Sequence, residues 1–157
     1  MRHAKSSWDD DSLTDHQRTL NKRGRGDAKK MALELEKRNL VPELIISSDS
    51  ERTTQTYEIM LKTFSSDAPR VIKRSEFYGG RMHDISEALE EVEDHISCVL
   101  VLGHNPGWEQ SVSYFTNDSV SMTTANIAVL STESENWIEA TAMGAFDLLV
   151  LLRPKEL

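Results

Sequence analysis

Apolar positions along this chain follow two rhythms that alternate. Ala28, Met31, Ala32 and Leu35 recur at i, i+3, i+4 and i+7, the spacing of one helix face. Asn21 stands ahead of that stripe as a helix cap. Val41-Pro42 ends it, because proline disfavours helical backbone in the residue before it. The pattern predicts a helix over about residues 22–39. Leu44-Ile45-Ile46-Ser47 then reads as a short buried strand. Ser48 to Ser50 supply turn and cap chemistry. A second helix runs to about Phe64, with Tyr57, Met60, Leu61 and Phe64 on one face. Ser65-Ser66-Asp67-Ala68-Pro69 reads as a loop. A second strand is expected from Val71 to about Phe77, and Gly79-Gly80 breaks the chain. Asp84 with Glu87 forms a capping-box-like pair for a third helix that buries Ile85, Ala88, Leu89, Val92 and Ile96. Cys98 to Leu102 is the clearest central strand, and it stops at Gly103, directly before His104. Asn105 as cap and Pro106 at the first helical position predict a fourth helix, with Trp108, Val112 and Phe115 inside.

The end of the chain changes character. Ile127-Ala128-Val129-Leu130, Trp137-Ile138-Glu139-Ala140 and Phe146 to Leu152 read as strands without intervening helices. The first two are expected to pair as a hairpin around Glu133-Ser134-Glu135-Asn136. Residues 6–20 are polar and acidic, with Asp9, Asp10, Asp11 and Asp15 and no periodicity, and read as a loop. Alternation of strand and helix implies parallel βαβ units. The expected fold is therefore α/β: a three-layer α/β/α sandwich, its central sheet mostly parallel with an antiparallel edge. No repeat, low-complexity segment or linker divides the 157 residues, so one domain over 1–157 is expected.

Composition narrows the partners. A net charge of −8 argues against nucleic acid and anionic membranes. Any phosphate site must be a local basic pocket on an acidic protein. The apolar runs are far shorter than a membrane span. Cys98, the one cysteine, sits in an apolar run, where it reads as a small buried hydrophobe. A reducing, cytoplasmic-type compartment is the default, with an organellar stroma or matrix the alternative if a segment precedes Met1. A monomer is expected.

The chemistry gathers at strand ends. In an open parallel sheet, ligands bind beyond the carboxyl ends of the strands. His104 and the segment Ser48 to Arg52 each follow an apolar strand immediately, so they should converge there. His3 joins them if a strand leads into Arg2. Two arginines offer forked hydrogen bonds to phosphate oxygens, and helix N-termini near Ser50 and Asn105 add dipoles of the right sign. A neutral histidine is a competent nucleophile toward phosphorus, and neighbouring arginines lower its pKa. Lys5 is a candidate second-rank phosphate ligand. Glu76, at the end of a predicted strand, is the best candidate proton donor, with a solvated carboxylate as the alternative. Asp84 is better explained as a helix cap. Glu109 lies early in the helix after His104, where it either orients site residues or complements the helix dipole. His16, His83 and His95 have no ligand spacing and read as surface residues. No metal or other cofactor is expected.

Four stretches in order carry a resemblance: Met1-Arg2-His3-Ala4-Lys5, Leu20-Asn21-Lys22-Arg23-Gly24, Ser47 to Thr56, and Leu102 to Glu109. Together they resemble the histidine phosphatase superfamily, the phosphoglycerate-mutase-like proteins, and most of all its small SixA-type phosphohistidine phosphatase branch. The resemblance runs from Arg2 to about Pro154. It implies that His3 is transiently phosphorylated and that Arg2, Arg52 and His104 hold the phosphoryl group, without metal. It implies a phosphorylated protein or small phosphorylated molecule as substrate. Two departures stand out. The family's Arg-His-Gly appears here as Arg-His-Ala, so Ala4 is expected at ordinary φ. In the family an apolar strand runs into the Arg-His pair, and here only Met1 stands ahead of it, so either a further segment precedes Met1 or the sheet lacks a central strand. The expected function is metal-independent phosphohistidine hydrolysis through phospho-His3. The alternatives are a phosphatase for small phosphomonoesters, or a catalytically silent phosphohistidine-binding protein.

Overall fold

The computed structural model describes residues 1–65 and 67–157; Ser66, within the expected loop, lies outside the described residues. Among the described residues five α-helices and five strands form in the order α1 (Lys22–Lys37), β1 (Leu44–Ser48), α2 (Glu51–Thr63), β2 (Arg70–Arg74), α3 (Met82–Glu90), β3 (Val99–Leu102), α4 (Gly107–Thr116), β4 (Ile127–Ser131), α5 (Trp137–Ala140) and β5 (Asp147–Leu152). β1 lies between β2 and β3 and is parallel to both. β4 and β5 form an antiparallel pair.

β1 shows why the chain layers as it does. All five of its residues are buried, which requires cover on both faces. Ile45 packs with Met31, Leu35, Tyr57 and Met60 of α1 and α2. Leu44 and Ile46 point the other way, into a core with Ile85, Leu89, Trp108 and Phe115 of α3 and α4. The period-two alternation of a strand thus splits one apolar run between two helical layers. The helix stripe read from the sequence is confirmed: Ala28, Met31, Ala32 and Leu35 are all buried. Asn21 caps α1, its side chain accepting from Gly24 N at 2.8 Å.

The first residues join the two sheets. Met1 N donates to Val101 O, Gly103 N to Met1 O and His3 N to Gly103 O, and Arg2 bridges Gly103 in parallel. On the other side Arg2 N donates to Asn126 O and Ala125 N to His3 O. Residues 1–3 therefore hold the carboxyl end of the expected central strand. Alongside the rest of β3 lies a cavity of about 180 Å³, lined by Met1, Leu100, Trp108, Ala128 and Leu130 among others. Ala4 keeps ordinary φ, as expected. Among the described residues no helix is long and apolar enough to cross a membrane.

Several expected elements change shape. Trp137–Ala140 is one helical turn rather than a strand, so the expected hairpin does not form and β4 pairs with β5. Local capping wins there: Asn136 accepts from Glu139 N at 2.9 Å, and the Trp137 indole donates to Ile96 O. β2 stops at Arg74, and Ser75–Tyr78 closes into a 3-10 turn. Phe77 turns inward edge-on to Trp108, with ring centroids 5.2 Å apart. α3 ends at Glu90, short of Ile96, where Glu91 and Glu93 pair with Arg74 and Arg70 beside β2. The capping box forms one turn earlier than expected: Arg81 is the cap and Asp84, at the third helical position, accepts from Arg81 N at 2.7 Å, while Glu87 faces His83 instead of pairing with Asp84. Asn105 does not cap α4, which begins at Gly107; its amide donates to Met122 O instead. Cys98 is half-buried rather than fully buried.

Candidate active site

β1 and β3 run parallel, so their carboxyl ends meet at one edge of the sheet, and residues 1–3 end there beside β3. His3, Arg52 and His104 are each delivered by the turn that follows. All three are buried, with His3 and His104 each 7% exposed and Arg52 5%. The imidazoles of His3 and His104 lie with ring centroids 5.1 Å apart.

His3 Nδ1 is 2.7 Å from the carbonyl oxygen of Ala4. A carbonyl can only accept, so Nδ1 carries the proton and Nε2 keeps its lone pair. The His3 pKa is lowered to about 4, first by burial and then by Arg52, Arg2 and Arg18, against the opposing pull of the Ala4 carbonyl. The sequence reading credited the arginines alone; desolvation is the larger cause. His104 is lowered to about 3, first by burial and then by His3 and Arg52. Both rings are neutral near pH 7.

The two arginines enter from different elements. Arg2 Nη1 donates to Met122 O at 2.8 Å. The amide of Asn105 donates to the same carbonyl, while Met122 N donates to Glu109 Oε1 at 2.6 Å. Glu109 thus orients the loop that holds Arg2. Arg52 lies in the first turn of α2, where Nη1 donates to Asp15 O at 2.6 Å and Nη2 to Asp15 Oδ2 at 3.1 Å. His104 Nε2 faces the hydroxyls of Ser48 at 3.0 Å and Ser50 at 3.4 Å. Buried Arg2 Nε, Arg52 Nε and His104 Nδ1 have no protein partner. Buried polar groups are normally paired, so each of these three donors can take an acceptor atom of a ligand; Asn105 Oδ1 and Asn126 Nδ2 are likewise buried without a protein partner among the described residues.

The other sequence candidates fall further out. Lys5 is half-buried, and its carbonyl accepts from Asn21 N. Glu76 is exposed in the 3-10 turn, where its carboxylate accepts from the Ser75 hydroxyl. His83 is exposed beside Glu87, and His95 is exposed. His16, read as a surface residue, is half-buried at the rim, 2.8 Å from Asp49 Oδ1 and edge-on to Tyr78. Sequence reasoning missed Asp15, Tyr78 and Arg18. The acidic loop folds around a 3-10 turn at Asp15–Gln17, which brings Asp15 to Arg52. Tyr78 packs edge-on to His104 at 5.5 Å between centroids and donates its hydroxyl to Asp15. No periodicity in residues 6–20 signals this.

Known proteins match the chain closely. A chloroplastic protein of Arabidopsis thaliana is 33% identical over 169 residues, covering 98% of this chain and 76% of that one. The crystal structure of a candidate phosphohistidine phosphatase SixA from Agrobacterium tumefaciens superposes with a TM-score of 0.81 at 25% identity, covering 98% of this chain and 95% of that one. The protein histidine phosphatase SixA complexed with tungstate superposes with a TM-score of 0.81 at 22% identity, covering 99% and 96%. The family model of the histidine phosphatase superfamily, branch 1, matches residues 1–105, which include Arg2, His3, Arg52 and His104. With that match over two thirds of its length, the chain belongs to the histidine phosphatase superfamily.

Proposed function

We propose that this protein is a phosphohistidine phosphatase that works through a covalent phosphohistidine on His3. One observation carries the reading. A neutral His3 with a free Nε2 lone pair stands beside buried, unpartnered nitrogens of Arg2, Arg52 and His104. In the first step His3 Nε2 attacks phosphorus. The substrate's N–P bond breaks, and its imidazole, already protonated on the other ring nitrogen, leaves as a neutral ring that keeps the electron pair on the released nitrogen. In the second step water attacks phospho-His3, the new P–O bond replaces the N–P bond, and phosphate departs. Arg2 and Arg52 balance the phosphoryl charge through both steps, which is the role a metal plays elsewhere. When the Ser48 hydroxyl donates to Nε2, His104 carries its proton on Nδ1 and from there donates a hydrogen bond to a phosphoryl oxygen. Lys5, half-buried and two residues from His3, is a further candidate ligand.

Phosphohistidine suits this site better than an alkyl ester. An alkoxide needs a strong proton donor. Asp15, the carboxylate bound to Arg52, is held ionised, its pKa drawn to about 2 first by the Tyr78 hydroxyl and then by Arg52 and Arg18. A protonated imidazole leaves without such help. The test offers the protein a phosphohistidine-bearing protein and a panel of phosphate esters, each with and without EDTA. Release of phosphate from the former, insensitive to EDTA, is expected. Preference for a sugar phosphate would assign the site to small phosphomonoesters, and binding without turnover would make it a phosphohistidine reader.

A further inference from the structure

The acidic segment before α1 carries Asp9, Asp10, Asp11 and Asp15, yet only Asp15 reaches the site. Its placement is costly on its face, because a carboxylate beside a phosphate pocket repels the ligand. Its contacts explain it. Arg52 Nη1 donates to the Asp15 carbonyl and Nη2 to its carboxylate, so one residue grips the end of the guanidinium at two points. Tyr78 donates its hydroxyl to the same carboxylate oxygen, and Arg18 Nε donates to the other at 3.0 Å. Arg18 in turn donates to Ser6 Oγ at 2.6 Å and stacks on Trp8, which ties the loop back to the strand-like segment that carries His3. The 3-10 turn is braced a second time where His16 meets Asp49 just ahead of α2. The grip leaves Arg52 Nε buried and without a partner.

We propose that Asp15 is a positioning residue: by holding Arg52 end-on from both its carbonyl and its carboxylate, it presents the Nε edge of the guanidinium to the phosphoryl group. Arginine has many rotamers, and a ligand-binding arginine that must be ordered at the moment of binding loses affinity. Asp15 orders it beforehand. Tyr78 braces the carboxylate, so the ring that walls His104 also fixes Arg52. The inference rests on the phosphatase reading only in taking a phosphoryl oxyanion as the ligand of Arg52.

The test measures binding of inorganic phosphate to the full chain by calorimetry, alongside melting curves. The variants are Asp15→Ala, Asp15→Asn, Tyr78→Phe and Arg52→Ala, with Asp15→Ala and Tyr78→Phe also made in the Arg52→Ala background. Asp15→Ala should weaken phosphate binding about tenfold, the scale of one charge-assisted hydrogen bond. Asp15→Asn keeps a neutral acceptor and the main-chain contact, and should lose only about threefold, since a neutral hydrogen bond keeps about half the strength of a charge-assisted one. In the Arg52→Ala background neither Asp15→Ala nor Tyr78→Phe should add more than about twofold, as a residue acting through Arg52 requires. Tyr78→Phe retains the ring and keeps the cycle readable if Asp15→Ala does not fold. Tighter phosphate binding by both Asp15 variants would make the carboxylate a charge brake and overturn the proposal. So would an undiminished loss in the Arg52→Ala background, or no phosphate binding by the wild type. The expected pattern in a protein that hydrolyses no phosphohistidine would uphold the role of Asp15 and sink the proposed activity instead.

Discussion

His3 and His104 lie with their rings 5.1 Å apart, tilted by 49°, and burial holds both in the neutral form. The pairing separates two tasks. His3 has its proton fixed on Nδ1 by a carbonyl, while His104 meets two hydroxyls that can donate or accept. One ring is locked as a lone-pair donor, and the other can adjust its tautomer to a phosphoryl oxygen.

The first prediction follows from that burial. Both histidines bind protons more weakly folded than unfolded, with folded pKa values of about 4 and about 3 against 6.5. Between those limits the unfolded chain takes up more protons, so stability rises with pH across the window and falls as pH drops below 6.5. Asp15 adds a lower window. Its folded pKa of about 2 lies below its ordinary 3.8, so its contribution is present above 3.8 and fades as pH falls toward 2. Urea unfolding at pH 7.5 and pH 4.5 should show a loss on the order of a few kcal/mol, at ~1.4 kcal/mol for each pKa unit of displacement. His3→Gln and His104→Gln should each flatten that slope. An equal slope in both variants would contradict buried neutral rings.

Much of the site could be read from the sequence because it is local. Ser48 to Arg52 and Gly103-His104 each sit at the end of an apolar run, and a parallel sheet brings such ends together; Arg2-His3, with only Met1 ahead of it, stood out through its resemblance to the family instead. Asp15 and Tyr78 were hidden because their roles come from contacts distant in sequence. Asp15 meets Arg52 across 37 residues and Tyr78 across 63. The Trp137–Ala140 turn was misread for a different reason. Its four residues, Trp-Ile-Glu-Ala, are too few to show a period, and the Asn136 cap outweighs the strand preference of tryptophan and isoleucine.

Two glycines of α1 should respond in opposite directions to alanine. At Gly24 a Cβ would collide with the backbone carbonyl of Lys5, while at Gly26 it meets nothing. Alanine gains ~1 kcal/mol over glycine in a helix interior. At exposed Gly26 that gain stands, so Gly26→Ala should raise Tm by roughly 2–4 °C. At Gly24 the clash is with main chain that cannot rotate away, and overpacking costs ~1–3 kcal/mol or more. Gly24→Ala should therefore lower Tm. It should also reduce activity, because Lys5 lies two residues from His3. Thermal melts of both variants decide the matter, and stabilisation by Gly24→Ala would contradict the close approach.

Glu76 should be dispensable for phosphohistidine. Its exposed carboxylate bonds only Ser75 among the described residues, and a protonated imidazole needs no donor from the protein. Glu76→Gln should leave kcat on a phosphohistidine protein within about twofold of wild type. If the protein also hydrolyses esters with Glu76 as donor, the same variant should lose about 10²–10⁴-fold on them. Comparison of one enzyme preparation on both substrates tests this. A large loss on phosphohistidine would give Glu76 a role that its position does not explain.

The assignment of the nucleophile gives the last prediction. Both rings are neutral and buried, so the proton on each decides which can attack. His3 Nδ1 is committed to the Ala4 carbonyl, which leaves Nε2 as a permanent lone pair. His104 Nε2 is engaged by the Ser48 and Ser50 hydroxyls, which leaves Nδ1, buried and unpartnered, as the atom facing outward from that contact. His3→Ala should abolish turnover and remove the covalent phosphoenzyme. His104→Ala should slow phosphoryl transfer by about 10²–10³-fold, the scale for losing one charge-stabilising donor, and still allow some acid-labile label to form. Rapid quench with labelled substrate, followed by mapping of the phosphopeptide, separates the two. Label on His104, or label that survives His3→Ala, would reverse the roles. Ser48→Ala removes the nearer hydroxyl and leaves His104 Nε2 only the Ser50 hydroxyl at 3.4 Å, without touching His3. It should reduce the rate yet leave the label on the peptide that carries His3, because the Ala4 carbonyl still fixes the tautomer of the attacking ring.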